Sequence, residues 1–106
     1  MKIGILNTSI LTNDGIYSMK TITLEEARDL VLNKNIDSAV GHESTAQILT
    51  TLLGVNVPVN RQIFSQKIGQ KSLVFKLNGR PEEGKILTKD EIEKIGYSFK
   101  LLYRME

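Results

Sequence analysis

Short apolar runs alternate with amphipathic stretches along the chain, and the change of period marks the elements. Residues 2–6 are mostly apolar and stop at the polar group Asn7-Thr8-Ser9, which predicts a short interior strand. Asn13-Asp14-Gly15 is a turn signal whose glycine is expected at positive φ, and residues 16–22 follow as a second extended piece. Thr23-Leu24-Glu25-Glu26 has the form of a capping box, in which the Thr23 hydroxyl accepts from the Glu26 N–H and the Glu26 carboxylate from the Thr23 N–H. The helix it opens is expected to bury Leu24, Ala27, Leu30 and Val31, to turn Glu25, Glu26, Arg28 and Asp29 to water, and to close at residues 33–35.

Residues 36–40 read as a short strand. A helix follows from Glu43 or Ser44 to just before Gly54, with Ile48, Leu49, Leu52 and Leu53 on one face. Two β-type runs, 60–66 and 71–77, are separated by a turn at Gly69 and predict a hairpin, Leu73 and Phe75 on one face and Val74 and Lys76 on the other. A polar loop over 78–85 carries Arg80, Glu82 and Glu83. Thr88-Lys89-Asp90-Glu91 is a second capping box, with Leu87 and Ile92 placed as a hydrophobic staple, and its helix ends at Gly96. Residues 97–104 form a closing strand. The series predicts an α/β fold, a single small domain over 1–106 with a mixed β-sheet of about five strands flanked by helices.

Composition narrows the chemistry. At 106 residues with 41% apolar and 25% charged side chains, the chain suits one hydrophobic core. Without cysteine there is no disulfide, thiolate nucleophile or thiolate-bound zinc. One histidine cannot build a multi-histidine metal centre within a single chain, so metal-free and cofactor-free chemistry is expected. No apolar run reaches about 18 residues, and the apolar start breaks at Asn7, so neither a membrane span nor secretion is expected and a cytoplasmic setting fits.

A net charge of +2 is too small for a protein that coats duplex DNA. The charge is uneven, however: residues 61–106 hold ten basic against six acidic side chains, residues 1–60 four against six. That bias suits a small anionic ligand.

The one histidine, His42, stands between a strand and a helix, where unpaired N–H groups and the helix dipole attract anions. Gly41 allows a close backbone approach, and Ser44 and Thr45 add hydroxyls in the first turn. The same residues also read as Ser44 capping a helix beside a surface histidine. Arg80 has the fork geometry for a phosphate and Glu83 an acceptor to orient it, or the two are a solvated ion pair. Arg61 reads equally as an anion ligand and as a surface charge. Asn7, Thr8 and Ser9 end the first strand, where α/β sheets bind ligands and where polar caps are also common. No dinucleotide or P-loop glycine motif occurs, and no nucleophile elbow.

Three segments together, ILNTSI at 5–10, GHEST at 41–45 and GRPEEGKIL at 79–87, carry a resemblance that runs over nearly the full length. The chain resembles the small viral ring nucleases that act as type III anti-CRISPR proteins, with relatives in bacterial mobile elements. The resemblance implies a homodimer that binds cyclic tetra-adenylate across its twofold axis and cuts it, without metal, to linear di-adenylates ending in a 2′,3′-cyclic phosphate. It makes His42 the catalytic residue, matches Arg80 and Glu83 to functional positions in a loop over the ligand, and matches Asn7, Thr8, Ser9 and Arg61 to ligand contacts. The other expectation is a module that binds or sequesters a cyclic nucleotide without turnover.

Overall fold

The computed structural model describes residues 2–8, 11–79 and 87–106. Among them are five strands and three helices: β1 (Ile3–Leu6), β2 (Tyr17–Ile22), α1 (Leu24–Val31), β3 (Ile36–Ser38), α2 (Glu43–Leu53), β4 (Lys71–Leu77), α3 (Lys89–Ile95) and β5 (Tyr97–Arg104). The strands make one mixed sheet in the order β2-β5-β4-β1-β3. β1 lies between β3 and β4, parallel to both, while β5 runs antiparallel to β4 and β2. The strand predicted to be interior is therefore interior.

Local sequence sets most boundaries. Thr23 and Thr88 both close full capping boxes, with Glu26 and Glu91 as the returning carboxylates. Gly54 ends α2 in the left-handed region at φ 73°, where a Cβ would be strained. Arg28, expected to face water, instead donates from Nε to the Leu52 carbonyl at 2.7 Å, tying α1 to one of the orphan acceptors at the end of α2.

The helices share one face of the sheet. Ala27 and Val31 of α1, Ile48, Leu49, Leu52 and Leu53 of α2, and Ile92 of α3 pack with Ile3, Ile5, Leu73, Phe75 and Phe99 in the main core. Phe75 and Phe99 meet there in a tilted pair with ring centroids 5.3 Å apart. No helix among the described residues is long and apolar enough to cross a membrane.

The predicted hairpin is a correction. A turn does stand at Gly69 (φ 82°), and 71–77 is a strand, but residues 60–66 join no ladder. They form a strap that wraps the β3 edge and crosses onto the helix-free face. The run is held by side-chain bonds in place of ladder bonds. Asn60 Nδ2 and Gln62 Nε2 donate to the Ser38 carbonyl at 2.9 and 2.7 Å. Phe64 is buried against Leu6, Val74 and Leu102 in a smaller second core. Gln66, 4% exposed, donates to the Gln70 and Leu102 carbonyls and accepts from Ser72 Oγ.

Gly15 is a second correction. It does not take positive φ, so the 13–15 signal is not a left-handed turn. The residue is small because the Glu106 carbonyl lies where a Cβ would stand. Gly4 has a similar reason: a Cβ there would lie 2.6 Å from both Phe64 Cζ and Ser72 Oγ. Because Ser72 Oγ is held by Gln66, the crowding has little room to relax. Gly4→Ala is expected to lower stability by about 1–3 kcal/mol, measured as the urea midpoint, and an unchanged midpoint would show that the strap lies elsewhere.

Candidate functional site

The C-terminal ends of β1, β3 and β4 open on one edge of the sheet, and most of the candidate residues collect there. After β3, the Ala39 N–H still donates to the Ile5 carbonyl (2.9 Å), and Asn60 N–H donates to the Val40 carbonyl (2.8 Å). That second bond brings the strap alongside the GHEST segment. Arg61 then lies over Gly41, its Nε 3.2 Å from where a Cβ would be. Gly41 is therefore the position that lets the guanidinium approach the backbone just before His42.

His42 is the N-cap of α2 in extended conformation (φ −123°, ψ 131°), and its side chain makes no capping hydrogen bond. Its carbonyl accepts from Ala46 N–H at 3.0 Å, the first bond of the helix. The N–H groups of Glu43, Ser44 and Thr45 precede that bond and have no acceptor among the described residues. Ser44 is thus inside the first turn and does not cap it. The imidazole is exposed and unengaged beside three free donors at the positive end of an 11-residue helix.

Asn7 and Thr8 follow β1 at the same edge, where they separate two clefts on the helix-free face. One, of about 190 Å³, is walled by Thr12, Ala39, Gln62 and Ile63 on the strap side. The other, of about 410 Å³, lies toward β4 and β5 and is bordered by Lys76, Ser98 and Lys100. His42 lines neither. The structure so gathers Asn7, Thr8, Gly41, His42, Ser44, Thr45 and Arg61 along one edge, whereas Ser9, Arg80 and Glu83 lie outside the described residues. Among the described residues no three His, Asp or Glu side chains come together as a metal site.

Thr12, Gln62, Lys76 and Lys100 were not singled out by sequence. The period-two reading of 71–77 did put Lys76 with Val74 on the face opposite Leu73 and Phe75. Lys100 joins it only through the β4–β5 register, which no local signal reports.

The model of the STIV B116-like family matches residues 3–99. The chain is 38% identical over 110 residues to uncharacterized protein YddF of Bacillus subtilis (strain 168), covering 100% of both. It is 43% identical over 100 residues to uncharacterized protein 26 of Sulfolobus islandicus filamentous virus (isolate Iceland/Hveragerdi), covering 89% of this chain and 84% of that one. Uncharacterized protein ORF117 of Acidianus two-tailed virus is 32% identical over 93 residues, 85% and 80% of the two chains. Among solved structures, B116 of Sulfolobus turreted icosahedral virus superposes with a TM-score of 0.83 at 23% identity, over 97% of this chain and 99% of that one, and so shares its fold. With a family model matched over most of its length and relatives in two viruses and a bacterium, the chain belongs to the STIV B116-like family.

Proposed function

We propose that this chain is a metal-independent ring nuclease that opens cyclic tetra-adenylate into linear di-adenylates with 2′,3′-cyclic phosphate ends, and so counteracts type III CRISPR immunity. The observation that carries the reading is His42: an exposed imidazole without a structural partner, one residue before a helix whose first N–H groups lack acceptors. Such a junction attracts a phosphate and puts a proton donor beside it.

The chemistry needs little more. A ribose 2′-hydroxyl attacks its own adjacent phosphorus and loses its proton to water, the P–O5′ bond breaks, and the 5′-oxygen leaves with a proton from the His42 imidazolium, which regains one from water. The attack is intramolecular, so alignment supplies much of the rate. The free N–H groups and the Ser44 and Thr45 hydroxyls bind the non-bridging oxygens. Arg61, poised over Gly41, adds positive charge. Arg80 and Glu83 enter from the sequence alone, Arg80 as a second cation on the phosphate and Glu83 as its orienting partner. Asn7, Thr8 and Ser9 contact the ligand from the end of β1. In a homodimer acting in the host cytoplasm, two His42 sites related by a twofold axis would face opposite phosphates of a four-membered ring, and two cuts give two halves.

Incubation of the purified protein with cyclic tetra-adenylate in EDTA, with chromatographic separation of the products, tests this. Di-adenylate with a cyclic phosphate end is expected. An intact ring, with ligand depletion saturating at one ring per dimer, would instead identify a sequestering module.

A further inference from the structure

The larger cleft has a feature that the His42 chemistry does not use. β4 and β5 pair with Lys76 opposite Ser98 and Val74 opposite Lys100. These four side chains share the helix-free face, and the two lysines are diagonal neighbours across the strand pair, with Cβ atoms within about 7 Å. With Asn7 and Thr8 they line a cleft of about 410 Å³, within the size range of small-ligand sites. Lys76 is exposed and Lys100 half-buried.

Among the described residues no Asp or Glu lines this cleft, and neither ammonium has a carboxylate partner there. Like charges held this close on neighbouring strands repel each other. The cleft thus pairs uncompensated positive charge with the amide of Asn7 and the hydroxyls of Thr8 and Ser98, a donor set for an anionic oxygen group.

Resting on the ring-nuclease reading, we propose that Lys76 and Lys100 hold a phosphate of the adenylate ligand other than the one cut in the same subunit. The strand order gives the reason. β5 and β3 stand three inter-strand spacings apart, about 14 Å, and His42 lies beyond β3, so one phosphate cannot engage both ends. Asn7 and Thr8, between them, contact the nucleotide that bridges the two positions. The lysine pair is therefore a binding and positioning element for the phosphodiester chain, and its effect falls on affinity more than on the bond-breaking step.

The test uses 5′-AMP, the smallest adenylate with a phosphate, and backbone-amide NMR on the full chain. AMP is expected to shift the amides of Asn7, Thr8 and Ser98, and adenosine to bind about tenfold or more weakly for want of a charge-assisted bond. Lys76→Met and Lys100→Met keep an unbranched apolar stem and lose the charge. Each is expected to weaken AMP binding, and to raise KM for cyclic tetra-adenylate, by about tenfold, with a smaller change in kcat. Added salt should shrink the difference between wild type and variants. Lys34→Met, outside the cleft, serves as the charge-loss control and leaves KM unchanged. Equal binding of AMP and adenosine, shifts confined to other amides, or wild-type AMP affinity in the Lys76→Met/Lys100→Met variant overturns the proposal. Lysine-dependent AMP binding by a protein that leaves the ring intact upholds the phosphate site and removes the ring-nuclease reading.

Discussion

His42→Ala is expected to slow ring opening by about 10²- to 10⁴-fold, the range that a positioned acid or base contributes. The loss should not come from unfolding. The side chain is exposed, makes no capping bond and packs in neither core, so its removal should change stability by about 0.5 kcal/mol or less.

His42→Asn sharpens the test. Asparagine is among the best N-cap residues and can accept from the free N–H of Ser44 or Thr45, so this variant should gain about 1 kcal/mol in stability while losing cleavage as fully as alanine does. Both outcomes together would mean that the N-cap position is held by a residue that serves the reaction at the expense of the helix. Product chromatography and urea melts on the three proteins read both effects. Cleavage by His42→Ala at the wild-type rate would remove His42 from the mechanism.

The largest expected loss of stability lies in the strap. Gln66→Leu conserves volume and removes every polar contact of a 4%-exposed side chain. Ser72 Oγ, on a fully buried residue, loses its acceptor, and the Gln70 and Leu102 carbonyls each lose one donor. Leaving a buried hydroxyl unpaired and two carbonyls under-satisfied should cost about 2–4 kcal/mol. Adding Ser72→Ala removes the orphaned hydroxyl and should restore part of the loss, because the two side chains form one unit. If Gln66→Leu melts with the wild type, the strap is not held by this network. A loosened strap should also disturb the site, since Arg61 and Gln62 stand on the same segment, so KM should rise along with instability.

The contrast between Thr23 and Gln66 shows how far the sequence reached. Both capping boxes, the Gly54 and Gly96 helix ends and the bounds of β5 were legible because each depends on residues within a few positions of one another. The alternation of Leu73, Val74, Phe75 and Lys76 assigned their faces correctly for the same reason. The GHEST segment was recognisable as a strand-to-helix junction, and α2 begins at Glu43 as expected.

The strap was not legible. Its residue types suit an extended backbone, but they do not tell whether backbone or side chain makes the bonds, and here Asn60, Gln62 and Gln66 bond through their side chains. Gly4 and Gly15 gave no local sign that the Phe64 ring and the Glu106 carbonyl come to lie against them.

What the sequence determined by itself was the three helices, the strands of the sheet and the place of the single histidine beside a helix start, because capping, periodicity and a single histidine are properties of short windows. Only the tertiary structure decided the strand order, the strap that lays Arg61 on Gly41, and the lysine pair across β4 and β5. Each of these depends on contacts between residues far apart in sequence, whose partners are set by the burial of the whole sheet rather than by any neighbour along the chain.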